Sequence, residues 1–342
     1  MSFVQPTFRR SILPRLHCRA MTTQPHSPRD QTFTLPDGRV LGFREVGVPE
    51  GRPILYFHGY PSSRVEVDPA HNLAKKHNIR LISLERPGFG ISTPQPCRTL
   101  LDWPADVRDF ARGIGLERFG IMGLSGGGPF AVACAYALPK EMLTSVGLFA
   151  SGPPWAAGAH HMSLTRRVTS WMASYWPRGL GAVLRLCVSA LRAFERWSVG
   201  ARWIDATLDK LDEKAAKDRK TGNDGATTPP APKTQEEKAA RRKGIMDLLV
   251  NEPFRQGTGA SVLEAKLLSS QDWGFRFEDV KYGPVRIWHG AKDGNAPIAA
   301  IRYLADRLPD SVLCEFEGDT HYTMFAHLDQ ALREMASDIG EK

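Results

Sequence analysis

The chain has 342 residues, 42% apolar and 24% charged, a balance that allows a sizeable core and excludes fibrous, collagen-like and wholly disordered classes. Its formal charge of +8 sits in two segments: residues 1–30 carry +4 (Arg9, Arg10, Arg15, Arg19 and Arg29 against Asp30), and residues 152–283 carry +6 (21 Lys and Arg against 15 Asp and Glu), leaving −2 on the rest. A basic tail and a basic insertion do not form a binding stripe on a folded face, and no recognition motif accompanies them, so nucleic acid is not an expected partner.

Residues 1–30 are Arg-, Ser-, Thr- and Pro-rich and have no acidic residue before Asp30. Two readings stand: a disordered basic tail, or a mitochondrial presequence, with Met21 as an alternative start. The five cysteines (Cys18, Cys97, Cys134, Cys187, Cys314) show no CxxC spacing, and their odd count suits a reducing compartment, cytoplasmic or mitochondrial. No apolar run reaches the roughly 18 residues that suggest a membrane span. Oligomeric state leaves no trace in the sequence.

From Gln31 onward the pattern becomes regular. Gln31–Leu35 and Arg39–Val46 flank Pro36-Asp37-Gly38 and read as a β-hairpin. Pro53–Phe57, Arg80–Leu84, Phe119–Leu124 and Ser145–Ala150 are short apolar runs suited to strands buried on both faces. Between them, Asp68–His77, Asp102–Gly115 and Gly126–Leu138 read as helices, the second with Trp103, Val107, Phe110 and Ile114 at helical spacing. This alternation predicts an α/β fold with a mostly parallel central sheet and helices on both faces.

Regularity lapses over residues 152–283, which read as a helical insertion between core segments 31–151 and 284–342. Ser163–Trp197 is amphipathic, with an apolar stripe from Leu180 to Phe194 and Arg178, Arg185, Arg192 and Arg196 on another face. Residues 211–243 are charged, include Thr227-Thr228-Pro229-Pro230-Ala231-Pro232, and read as a flexible loop because they bury too little to offset ordering, with Glu236–Lys243 as a candidate return to helix before Ile245–Leu249. The core resumes with strand Val285–Trp288, a helix near Pro297–Leu308, strand Val312–Phe316 and a last helix near Tyr322–Ile339.

Gly123-Leu124-Ser125-Gly126-Gly127 is a G-x-S-x-G sequence between a predicted strand and a predicted helix. That context places the serine on a strained turn with Oγ exposed, while the flanking glycines permit close backbone approach. A serine hydroxyl needs a base, and the base needs an orienting acid. Asp293 follows the Val285–Trp288 strand, and His321 follows the Val312–Phe316 strand. Asp319 competes for the role of acid but shares a loop with His321 and reads as a turn residue. His289 reads as a packed structural histidine, while His160, His161 and His327 lack strand-end context. No His and acidic cluster has metal-ligand spacing, and neither metal nor cofactor is expected. His58-Gly59-Tyr60-Pro61 follows the Pro53–Phe57 strand and offers the Tyr60 N–H to pair with that of Gly126 as an oxyanion hole.

With these signposts in order, together with Arg86-Pro87-Gly88-Phe89-Gly90-Ile91-Ser92, the chain resembles the α/β-hydrolase superfamily over nearly all of residues 31–342. The resemblance implies a serine hydrolase with Ser125 as nucleophile, His321 as base and Asp293 as acid. Epoxide hydrolases and haloalkane dehalogenases look similar but carry Asp at the Ser125 position; proline iminopeptidase-like members usually have Trp where this chain has Gly126. Residues 152–283 correspond to the cap that shapes the family's substrate pocket. The expected reaction is hydrolysis of a carboxylic ester of a fairly apolar small molecule. Amide, lactone or carbon–carbon bond hydrolysis, and non-catalytic binding of a small ligand, are the alternatives. Trp171, Tyr175, Trp176 and the Leu180–Phe194 stripe either supply apolar surface at the pocket mouth or pack the insertion onto the core.

Overall fold

The computed structural model describes residues 30–221 and 234–340; the basic segment before Asp30 and the Pro-rich stretch Thr227–Pro232 lie outside the described residues. The opening hairpin is formed by β1 (Gln31–Thr34) and β2 (Val40–Gly47), whose turn closes through Leu35 N–H to the Arg39 carbonyl at 2.8 Å and holds Gly38 at φ +87°. There follow β3 (Arg52–Phe57), a 3-10 turn (Arg64–Ala70), α1 (His71–Lys76), β4 (Ile79–Leu84), α2 (Trp103–Gly113), β5 (Phe119–Leu124), α3 (Gly128–Ala137) and β6 (Leu143–Phe149). The insertion carries α4 (Leu164–Tyr175), α5 (Pro177–Arg196), α6 (Ser198–Thr221), α7 (Gln235–Met246) and α8 (Gly259–Leu268). β7 (Val285–Gly290), α9 (Ile298–Ala305), β8 (Ser311–Phe316) and α10 (Leu328–Gly340) complete the chain.

The eight strands form one sheet in the order β1-β2-β4-β3-β5-β6-β7-β8. Only the β1/β2 and β2/β4 pairs are antiparallel; every other pairing is parallel. The central strands β5 and β6 are buried along their whole length, as their continuous apolar runs require when both faces are covered. Phe110, Phe130, Trp103 and Ile121 belong to the core on one face, and Val67, Ala74, Met122 and Met335 to that on the other. Fully burying one such large side chain stabilises the fold by about 1.5–3 kcal/mol.

The insertion differs from its expected form in two places. The single helix expected over Ser163–Trp197 is broken at Trp176, because Pro177 disfavours helical backbone in the residue before it; Pro177 then opens α5. The loop expected from residue 211 begins as helix, since α6 runs to Thr221, while α7 from Gln235 takes in the return to helix offered over Glu236–Lys243. Charge supports these helices alongside the burial of Leu208 and Met246. Arg242 Nη1 meets Asp205 Oδ2 at 2.5 Å and Lys238 Nζ meets Asp209 Oδ2 at 2.7 Å, while Thr234 and Glu237 form a reciprocal capping box at the start of α7. Among the described residues, no helix is long and apolar enough to cross a membrane.

Candidate active site

The chain leaves β5 at Leu124 and enters α3 through Ser125, which sits at φ +48°, an unusual position for a residue with a side chain. Two glycines permit the turn. A Cβ on Gly123 would lie 2.6 Å from the Gly127 carbonyl oxygen, and one on Gly127 would lie 2.1 Å from that of Phe57. The Ser125 carbonyl is pinned by the Gly152 N–H at 2.6 Å, so the segment after β6 holds the strained residue in place.

The residues after β7 and β8 converge on this serine. His321 Nε2 lies 3.0 Å from Ser125 Oγ, and His321 Nδ1 lies 2.6 Å from Asp293 Oδ2. Asp293 Oδ1 accepts the backbone N–H groups of Asn295 (2.7 Å) and Ala296 (2.8 Å). Burial works to raise the Asp293 carboxyl, but the hydrogen bond and charge of His321 and the Ala296 N–H outweigh it and hold the group below its ordinary value. An ionised Asp293 can only accept, so Nδ1 carries a proton and the neutral ring's Nε2 is free to accept one from Ser125. The arrangement can move a proton from serine to histidine while orienting the ring.

The competing residues are engaged elsewhere. Asp319 Oδ2 pairs with His327 Nε2 at 2.9 Å, and His327 stacks on Phe316 with ring centroids 3.9 Å apart. His289 is fully buried, and its Nε2 donates to the Ala296 carbonyl at 2.8 Å. Burial pushes its pKa down, which keeps it neutral beside Asp293. His160 and His161 end a 3-10 turn at Ala159–His161, outside the cavity lining. Among the described residues, no cluster of three or more His, Cys, Asp or Glu side chains is arranged to hold a metal ion.

Tyr60 and Gly126 meet beside Ser125, where a Cβ on Gly126 would come within 3.1 Å of Tyr60 N. Gly126 is in the first turn of its helix, where N–H groups lack an intrahelical acceptor. Neither N–H has an acceptor among the described backbone hydrogen bonds, so both can serve a negatively charged oxygen. The His58–Tyr60 segment is braced from three sides. His58 Nδ1 donates to the Gly59 carbonyl at 2.8 Å, and its Nε2 accepts the Arg86 N–H at 3.2 Å. Arg86 donates to the carbonyls of His58 (2.5 Å) and Gly59 (2.9 Å). Glu66 Oε2 accepts the Gly59 N–H at 2.7 Å and the Tyr56 hydroxyl at 2.9 Å. Burial is the main influence on Glu66 and raises its pKa against these hydrogen bonds.

A cavity of about 880 Å³ opens over Ser125 and His321. Tyr56, Leu81, Met122 and Leu124 line it from the core, and Leu248, Leu249, Ala265 and Leu268 from the insertion. The aromatic residues expected at its mouth are not part of this lining. Trp171, Tyr175 and Trp176 are exposed to solvent at 56%, 78% and 56%, and from the expected stripe Leu180 and Val188 are buried away from the cavity. α4 instead turns Thr165, Arg166, Thr169 and Ser170 toward the cavity. Arg166, Glu66 and the Glu264 partner of Arg86 carried no signal in the sequence, being common residue types without a motif around them.

A family model described as alpha/beta hydrolase fold matches residues 52–175. A pimeloyl-[acyl-carrier protein] methyl ester esterase from Aromatoleum aromaticum is 40% identical over 62 residues, 18% of this chain and 24% of that protein. A proline iminopeptidase from Xylella fastidiosa is 28% identical over 108 residues, 31% of this chain and 34% of that protein. The chain thus matches between about a quarter and a third of the length of these two relatives. Among solved structures, an esterase from Exiguobacterium antarcticum superposes with a TM-score of 0.59 at 14% identity, covering 91% of this chain and 99% of that one, a likeness of fold.

Proposed function

We propose that this chain, a member of the α/β-hydrolase superfamily, hydrolyses carboxylic esters of fairly apolar small molecules through an acyl-enzyme on Ser125. The observation that carries the reading is the unbroken hydrogen-bond path from Asp293 through His321 to Ser125, at 2.6 and 3.0 Å, at the edge of a largely apolar cavity. Ser125 Oγ attacks the ester carbonyl as His321 Nε2 takes its proton, and Asp293 holds the tautomer and stabilises the imidazolium. The Tyr60 and Gly126 N–H groups receive the oxyanion. Collapse breaks the bond to the alkoxy oxygen, which leaves as an alcohol with the proton from His321. His321 then deprotonates water, whose attack on the acyl-enzyme releases the acid and restores Ser125.

The methyl ester esterase among the relatives supports ester chemistry, and the proline iminopeptidase is what keeps amide hydrolysis by the same residues as the alternative. A fluorophosphonate probe is expected to label the wild-type protein and to fail on Ser125→Ala. Across p-nitrophenyl esters from acetate to octanoate, kcat/KM is expected to rise toward intermediate chain lengths, since the lining is apolar. A flat series removes the apolar-substrate part of the reading. Absence of both labelling and ester turnover replaces it with non-catalytic ligand binding.

A further inference from the structure

Among the described residues, Arg166 is the one Lys or Arg in the cavity lining, and nothing in the acyl-transfer scheme uses it. Arg166 sits on α4, where Thr165, Arg166, Thr169 and Ser170 form the face turned toward the cavity. The opposite side of that helix carries Leu164, Val168, Trp171 and Tyr175, exposed at 73%, 47%, 56% and 78%. α4 therefore presents its polar face to the interior and its apolar face to water, the reverse of an ordinary packed surface helix. Met172 and Ala173 pack α4 onto Leu180, Ala265 and Tyr60, but that contact does not account for the polar side chains that line the cavity beside it. A polar occupant of the cavity does.

Among the described residues, Arg166 makes one hydrogen bond: Nη1 donates to the Asn295 carbonyl at 2.6 Å. Among the described residues no carboxylate forms an ion pair with it. The carboxylate that acts on it electrostatically is Asp293, whose oxygens are already occupied by His321, Asn295 and Ala296. Glu66, the carboxylate that lines the cavity, is engaged by the Gly59 N–H and the Tyr56 hydroxyl. A largely buried guanidinium with spare donors, beside three hydroxyl side chains, is a receptor for an anion. One guanidinium balances a single negative charge, and its planar fork matches a carboxylate.

We infer that Arg166, with the hydroxyl groups of Thr165, Thr169 and Ser170, binds a carboxylate carried by the substrate away from its scissile ester. The inference rests on the ester-hydrolase reading for the reaction but not for the binding site. The substrate class is then a half-ester of a dicarboxylic acid, or an ester whose alcohol carries a carboxylate, with an apolar chain between the two groups.

Two measurements test it. In the first, kcat/KM is compared for p-nitrophenyl esters of glutaric acid, with one carboxylate free, and for their neutral methyl-capped counterparts. Wild type is expected to favour the anionic member, and Arg166→Met to lower the anionic-to-neutral ratio by about 10- to 100-fold, the scale of a charge-assisted hydrogen bond. Arg166→Lys, which keeps the charge without the fork, is expected to fall between. An unchanged ratio in Arg166→Met overturns the inference, as does an equal loss on both esters, which makes Arg166 a brace for the Asn295 loop. In the second, calorimetric binding of monomethyl and dimethyl glutarate is measured on the Ser125→Ala protein. Tighter binding of the monoanion, abolished by adding Arg166→Met, supports the site even where no ester is turned over. Equal affinity for the two overturns it, and should Arg166→Met not fold, the wild-type ester ratio and the Ser125→Ala comparison decide alone.

Discussion

Arg86 and Glu264, 178 residues apart in sequence, form a fully buried bidentate ion pair with N–O distances of 2.6 and 2.9 Å. Arg98 adds a second cation to the same carboxylate at 2.7 Å. Burial works to raise Glu264, and the two arginines more than cancel it, so the group is held ionised. Because Arg86 also donates to the His58 and Gly59 carbonyls, the pair fastens α8 of the insertion to the loop that presents the Tyr60 N–H. The Tyr60 hydroxyl reinforces the joint by donating to the Ser261 carbonyl of α8 at 2.7 Å.

Glu264→Gln is expected to lower unfolding free energy by about 3–5 kcal/mol, because it keeps the shape but strands two buried guanidinium groups. Urea denaturation measures this directly. A loss below about 1 kcal/mol would mean that the joint is not held by charge.

The residues of the Ser125 path are expected to fail unequally. Ser125→Ala and His321→Ala each reduce kcat by about 10⁶-fold, and the double variant by little more, because nucleophile and base act as a unit. Asp293→Asn costs about 10⁴-fold, since it spoils orientation and tautomer without removing the nucleophile. Asp319→Asn changes kcat by less than about 10-fold, its carboxylate being bound to His327. Steady-state rates on one soluble ester rank all four, and an Asp319→Asn defect larger than that of Asp293→Asn overturns the assignment of the acid.

Acid stability carries the signature of Asp293. Its pKa is lower in the folded chain than in the unfolded one, so its carboxylate contributes stability above the ordinary value near pH 4 and loses it as the pH falls through the folded value. The melting temperature of Asp293→Asn is therefore expected to lie under that of wild type at neutral pH and to converge on it only as the pH falls from the ordinary carboxylate value through the lower folded one. A gap that persists at low pH assigns the stabilisation to something other than the charge.

Glu66 is expected to act on the rate through Gly59, whose N–H it accepts. Glu66→Ala leaves the Gly59 N–H and the Tyr56 hydroxyl without their acceptor. It is expected to reduce kcat by about 10-fold or more, with KM little changed, on the scale of one buried unsatisfied donor. Glu66→Gln retains one oxygen acceptor and should recover part of the loss. Equal defects in the two variants would show that the carboxylate charge, rather than the acceptor, is what the loop needs.

The sequence alone determined the parts governed by neighbours along the chain. Uninterrupted apolar runs mark strands covered on both faces, and β3 to β6 appear within a residue or two of those runs. Gly123 is required by a backbone contact with Gly127 inside the turn, and Gly127 by the Phe57 carbonyl of the neighbouring strand, so five residues announce the turn although one of its causes lies elsewhere in the chain. Asp293 and His321 were legible because parallel strands deliver their following loops to one edge of the sheet. The Thr234-to-Glu237 capping signal was also present in the sequence, although the charged composition around it pointed to a loop.

Only the tertiary structure decided between Asp293 and Asp319, since both lie within reach along the chain and the choice depends on where His327 draws the second carboxylate. It also turned α4 polar side inward, an orientation that periodicity cannot supply because an amphipathic pattern does not say which face is covered. The Arg86–Glu264 joint and the Glu66 brace stayed hidden for a further reason. An ion pair or hydrogen bond acts over a few ångströms in space, whatever the separation in sequence, and a single Glu among many leaves no periodic mark until folding brings its partner to it.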